Sequence, residues 1–272
     1  MGAKHKFSEV TMVTIRRILI TSVFITTLSL GTMANAAIVN PATTFTPQQK
    51  KEIEGIVHDY LVNNPQILVE ASQALQKQTE AEQEKFALSA IQKNTKQLFN
   101  DPASPVVGNT NGNVSLVEFF DYQCGHCKEM NTVVQSIIKK DNNLRVVFKE
   151  LPIFGSNSQF AAKVALAVYK LAGSAKYYTF HDALLDTTNP LTNDKVFAIA
   201  QKEGLNIDQL KKTMDSPDIT QQLRANFQLA QSLKLIGTPT FVIGNKALTN
   251  FEFIPGATSE KNLQDLLKQV SS

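Results

Sequence analysis

From Thr46 onward the spacing of apolar residues changes character several times. Ile53, Ile56, Val57, Tyr60 and Leu61 fall on one face at helical period, and Thr46-Pro47 supplies a cap and a first-turn proline ahead of them. Asn63-Asn64-Pro65 ends that helix. A second helix is expected from about Gln66 toward Leu98, with Ile67, Leu68, Ala71 and Leu75 on one face of its first turns. The stretch QKQTEAEQEK (76–85) is rich in helix formers but almost without apolar residues, so it reads as a solvated connecting helix. Neither apolar face finds a partner within 47–100. Packing on the following domain and pairing with a second chain would both cover them, and a second chain is the expectation.

Asp101-Pro102-Ala103-Ser104-Pro105 marks a boundary. Beyond it, VSLVEFF (114–120) reads as a buried strand, and a helix from Cys124 carries Met130, Val133, Val134, Ile137 and Ile138 at helical spacing. LRVVF (144–148) is a second strand, and strand–helix–strand over so short a span predicts a βαβ unit with a parallel pair. Residues 157–235 read almost wholly helical, with Phe160–Leu171, Asp194–Glu203 closed by Gly204, and Ile219–Leu233 as examples. A strand at 240–243, a turn at Asn245, a partner strand within 247–254 and a last helix from Ser259 follow.

Composition alters this picture in two places. A chain of 272 residues, 43% hydrophobic and 19% charged, is neither disordered nor a membrane bundle, and two cysteines are too few for a disulfide-stapled scaffold. The formal charge of +3 sits wholly in residues 1–36, in Lys4, Lys6, Arg16 and Arg17 against Glu9, so the remainder is balanced and carries no footprint for nucleic acid. That segment runs from a basic start through the uncharged ILITSVFITTLSL (18–30) to Ala34-Asn35-Ala36, the order of a signal peptide cleaved after about Ala36. The apolar run is shorter than the roughly 20 residues a membrane span needs. Met12 is an alternative start. The expected location is the periplasm, an oxidising space where paired cysteines form disulfides.

The only cysteines lie in Cys124-Gly125-His126-Cys127, after a strand and at the opening of a helix. Free backbone N–H groups and the positive helix end favour a thiolate at Cys124, and Cys127, one turn in, is expected to be more buried and able to close a small ring with it. Such a pair passes between dithiol and disulfide with little backbone movement, which suits a carrier of oxidising equivalents. A purely structural disulfide would restrict the unfolded chain little at this ring size. A zinc site lacks ligands, since His58, His126 and His181 form no ligand cluster, and a c-type haem would need histidine where Lys128 stands.

VEFFDYQCGHCK (117–128), followed far downstream by GTPTF (237–241), resembles the thioredoxin superfamily and within it the exported DsbA-like thiol–disulfide interchange proteins. The resemblance covers roughly 106–272. It implies an α/β, thioredoxin-like fold with a helical insertion at about 157–235, within a domain spanning 101–272. It also implies that residues 37–100 are a helical dimerisation segment. By the same resemblance Cys124 is the exposed nucleophile and Cys127 the resolving cysteine. Glu118 is the buried acid that moves protons for the second cysteine, and Pro239 is a cis-proline that presents the Thr238 backbone to an extended substrate. His126, when protonated, would favour the Cys124 thiolate. The cofactor is the cysteine pair itself, with no metal. The implied partners are unfolded or misfolded cysteine-containing exported proteins, a membrane redox partner that resets the pair, and a second copy of the chain. Gly125-His126 is the dipeptide of eukaryotic disulfide isomerases, so oxidase and isomerase both stay open. A dedicated reductase, and a binding or chaperone module with incidental cysteines, are the competing readings.

Overall fold

A computed structural model describes residues 45–187 and 190–271, so the segment read as an export signal lies outside the described residues. The chain divides into two units, one ending at Asn63 and one spanning Asn64–Ser272. In the first, helix α1 (Pro47–Asn63) starts from a reciprocal cap. The Gln49 amide donates to Thr46 Oγ1 at 3.2 Å and the Thr46 amide to Gln49 Oε1 at 2.9 Å. No residue of α1 is buried, and Ile56 is 68% exposed.

The second unit opens with α2 (Gln66–Lys93), whose first turns expose Leu68, Val69 and Leu75. Its last turns behave differently. Ala87, Ala90 and Ile91 are buried, as are Leu98 and Phe99 of the short helix α3 (Thr95–Phe99). The domain boundary expected at Asp101 therefore does not divide the chain by packing, because an apolar face resumes directly after the polar stretch 76–85 and belongs to the core of this unit.

Five strands form one mixed sheet in the order β1-β3-β2-β4-β5. They are β1 (Val106–Gly108), β2 (Val114–Phe120), β3 (Leu144–Glu150), β4 (Thr240–Asn245) and β5 (Phe251–Ile254). β2 and β3 run parallel, joined by α4 (Gly125–Lys140), as the βαβ pattern required. The other three pairings are antiparallel. β2 is the central strand and every one of its residues is buried, because helices cover both faces of the sheet. Leu116, Phe120, Val146, Phe148, Phe241 and Ile243 enter one core, and Val117, Phe119, Val147, Leu151 and Val242 enter the other, as the two-residue period demands. The first core is closed by α4, the long α5 (Ser156–Leu185) and the last helix α9 (Glu260–Ser271). The second is closed by α3, the end of α2, and α8 (Pro217–Ser232). α3 can sit close because Gly244 faces it: a Cβ there would lie 2.7 Å from the Phe99 ring.

The insertion between β3 and β4 consists of α5, α6 (Asn193–Lys202), α7 (Ile207–Met214) and α8. α5 is broken at Gly173, whose φ of 77° belongs to the region that only glycine occupies freely. The sequence reading does not contain β1, and it does not separate α7 within the stretch 157–235 that it reads as helical. Among the described residues no helix is long and apolar enough to cross a membrane.

Candidate active site

The turn from β2 into α4 carries the cysteine pair. Cys124 is the N-cap residue of α4, extended at φ −72° and ψ 120°, so the free amides of the first helical turn point at its sulfur. Both cysteines are free thiols. The Cys124 pKa falls to about 5: the Cys127 thiol hydrogen-bonds to it, and the backbone amides of Cys127 and His126 add to the effect against the penalty of burial. The same contact and burial push Cys127 strongly upward. One sulfur is thus set to be anionic and the other to keep its proton.

Cys124 departs from the exposed position that the resemblance implied, since the residue is only 4% exposed. Its sulfur is covered by the loop ahead of β4, where the Thr238–Pro239 peptide bond is cis and the Thr238 carbonyl accepts a hydrogen bond from the Cys124 thiol at 3.2 Å. The Thr238 hydroxyl is buried without a partner beside the thiol, within reach of the sulfur once it is charged.

Glu118 lies in phase with Leu116 and Phe120, on the face of β2 that looks toward α4 and the cysteines. It is 2% exposed, and burial, reinforced by the nearby charge of Asp182, raises its pKa to about 8. Its charge is felt at Cys127. His126 points outward instead. Its Nδ1 pairs with Glu129 Oε2 at 3.0 Å, which raises its proton affinity, and Cys124 is the smaller influence.

Several residues that the sequence reading passed over build the surroundings. Asp121 is buried and accepts from four donors: the Gln123 amide (2.7 Å) and Ser158 hydroxyl (2.7 Å) at Oδ1, and the Ile153 (2.7 Å) and Phe154 (3.0 Å) amides at Oδ2. It thereby ties the cysteine loop to the loop after β3, which displays Ile153 and Phe154 to solvent. Ile236, two residues before Thr238, is 81% exposed. Beneath the site, the Tyr122 and Tyr177 hydroxyls donate to Glu150 Oε1 at 3.0 and 2.9 Å, and Tyr122 also meets His181 Nδ1 at 3.2 Å. Burial keeps Glu150 protonated well above the usual carboxylate range and lowers the His181 pKa to about 3, so this cluster is uncharged. An acidic residue at a strand end and aromatics scattered over the sequence carry no local signal of such a network.

Comparison with known proteins agrees with this geometry. Residues 115–268 match the DSBA-like thioredoxin domain, and residues 49–82 match the copper resistance protein ScsC N-terminal domain. A probable disulfide bond formation protein D of Bacillus cereus is 25% identical over 61% of this chain and 82% of its own length. Among solved structures, Salmonella enterica Typhimurium BcfH is 31% identical, covering 83% of this chain and 97% of that one at a TM-score of 0.70. A thioredoxin-like oxidoreductase from Silicibacter pomeroyi is 38% identical, covering 65% and 96% at a TM-score of 0.60. With the paired sulfurs held at a helix start and the match spanning both halves of the sheet, the chain belongs to the DSBA-like thioredoxin domain family and is a thiol–disulfide oxidoreductase.

Proposed function

We propose that this protein introduces or rearranges disulfide bonds in exported proteins, with Cys124 as nucleophile and Cys127 as resolving cysteine. One observation carries the reading: the Cys124 sulfur lies between the first amides of α4, the Cys127 thiol and the Thr238 carbonyl. In the oxidising direction a client thiolate attacks the Cys124 sulfur of the disulfide, and Cys127 leaves as a thiolate that takes a proton from Glu118. The client's second thiolate then displaces Cys124, whose stabilised thiolate is a good leaving group. In the rearranging direction the reduced Cys124 attacks a wrong client disulfide, and Cys127 frees the enzyme if the client stalls. The cysteine pair is the only cofactor required, and a membrane partner would reset it.

The client would pair its backbone with Thr238 beside Pro239, in extended form and without sequence preference. Ile153 and Phe154, on the loop that Asp121 ties to the cysteine turn, and Ile236, two residues before Thr238, support this by offering exposed apolar side chains. The signal-like order of residues 1–36 supports a periplasmic location.

Replacing Cys127 by Ala removes the escape route, so the variant is expected to accumulate mixed disulfides between Cys124 and cysteine-containing exported proteins. Recovery of none from the compartment would refute the assignment of Cys124.

Residues 37–100 are assigned to homodimerisation. The support is the solvent-facing Ile56 and Val57 of α1 and Leu68, Val69 and Leu75 of α2. Two facing sites would favour rearrangement over net oxidation. Light scattering of a chain starting at Ala37 is expected to give a dimer at micromolar concentration and Ile56→Asp a monomer; a monomer before mutation removes the assignment.

A further inference from the structure

Glu118 is sealed, yet on the reading above it gives a proton to Cys127 or takes one from it in each cycle. That proton has to reach solvent, and a docked client occupies the mouth at Cys124. From α5, Tyr178 and Asp182 stand one turn apart on one helix face and reach the same buried region. Tyr178 Oη and Asp182 Oδ1 are buried and lack a hydrogen-bond partner, a condition that calls for an explanation. The remainder of Asp182 is half-buried, where Gln135 and Asn131 of α4 contact its carboxyl. The other charges facing it are Asp186 at the end of α5, Lys139 on α4 and Glu118 on β2, and the charge of Glu118 is felt in turn at Glu150 on β3.

We propose that Asp182, together with the unpartnered Tyr178 hydroxyl one turn earlier on the same helix, forms the outer half of a proton path that joins Glu118 to solvent along the seam between α4 and α5. When a client opens the disulfide, the Glu118 proton passes to the Cys127 thiolate. The resulting Glu118 carboxylate receives a proton from Asp182 once the uncommitted Tyr178 hydroxyl turns to bridge the two acids, taking one proton as it gives one. Asp182 then recovers a proton from solvent. No electron moves in these transfers, because the sulfur exchange carries the redox change. Oxidation of the dithiol runs the same path outward. Asp182 titrates at about 6 and Glu118 at about 8, so inward transfer is downhill and Asp182 exchanges readily near neutrality.

The inference rests on the role given to Glu118, and one experiment separates the two. The reduced full-length chain is mixed with glutathione disulfide. Formation of the Cys124 mixed disulfide and ring closure by Cys127 are then followed separately as pH is varied. Asp182→Asn is expected to slow ring closure about tenfold, to remove an inflection near pH 6, and to leave the Cys124 step unchanged. Tyr178→Phe should slow closure similarly, Asp182→Glu should restore it, and the exposed Asp186→Asn should stay within about twofold of the parent. A structural role for Asp182 would not spare the Cys124 step or follow pH. Ring closure within about twofold of the parent in Asp182→Asn, with Glu118→Gln slow, overturns the path alone. Unaltered closure in Glu118→Gln overturns the role of Glu118 and the path with it.

Discussion

Cys124→Ser is expected to lose at least about a thousandfold of thiol–disulfide exchange activity, equivalent to about 4 kcal/mol of barrier. A serine hydroxyl at the same N-cap meets the same amides, but it stays protonated at neutral pH and cannot exchange with a disulfide. Cys127→Ser should differ in kind: attack by Cys124 persists and release fails. The pH profile of attack by the reduced protein follows from the direction of the Cys124 shift. A pKa lowered to about 5 leaves the sulfur almost fully ionised at pH 7, so the rate should be flat around neutrality and fall as pH drops through 5. The same preference favours the reduced enzyme over the disulfide, which makes the disulfide a stronger oxidant. Insulin reduction and refolding of scrambled ribonuclease measure the loss. Full refolding activity in Cys124→Ser would point instead to a chaperone whose cysteines are incidental.

The second large effect is on stability and lies on the opposite side of the sheet. Lys149 of β3 is fully buried, and its Nζ donates to the Gln97 carbonyl (2.6 Å), Ser104 Oγ (2.7 Å) and Asp101 Oδ2 (3.1 Å). Gln222 of α8 donates to the same Asp101 oxygen at 2.8 Å and Asn226 to the Glu150 carbonyl at 3.0 Å. One ammonium thus joins α3, the 101–105 turn, β3 and α8. Lys149→Met keeps the volume but strips Asp101 of its counter-charge and leaves the Gln97 carbonyl unpaired. Breaking a buried pair in this way costs about 3–5 kcal/mol, and the lower end applies because Asp101 keeps its Gln222 and Ser104 partners. Urea denaturation should show the midpoint falling at constant slope. The double variant Lys149→Met/Asp101→Asn should be less destabilised than the two single losses added together. A shift below about 0.5 kcal/mol would mean that the cluster holds nothing together.

Much of the catalytic half was legible because its signals are local. The apolar run at 114–120, the cysteine spacing and the apolar positions of α4 fix a strand, a sulfur pair and a helix within a few dozen residues of one another. The Thr46 cap was equally local, and it is present with its Gln49 partner. What stayed hidden depends on distant contacts. Glu118 reads ambiguously because β2 is covered on both faces, so alternation does not tell an inward from an outward position. The burial of Cys124 comes from Thr238, far along the chain. Ile153 and Phe154 look like the tail of an apolar strand until Asp121 is seen gripping their amides. β1 has three residues, too few for a period, and the burial of Ala87, Ala90 and Ile91 is masked by the long polar stretch ahead of them.

The most direct test is a pH titration of the thiolate absorbance of the reduced, unmutated protein, with cysteine-free protein as the blank. The expected result is one thiolate per chain appearing with a midpoint near pH 5, and no second one through the range in which ordinary thiols ionise, around 8.5. Two thiolates emerging together near that ordinary value would contradict the division of labour between Cys124 and Cys127 on which the chemistry depends.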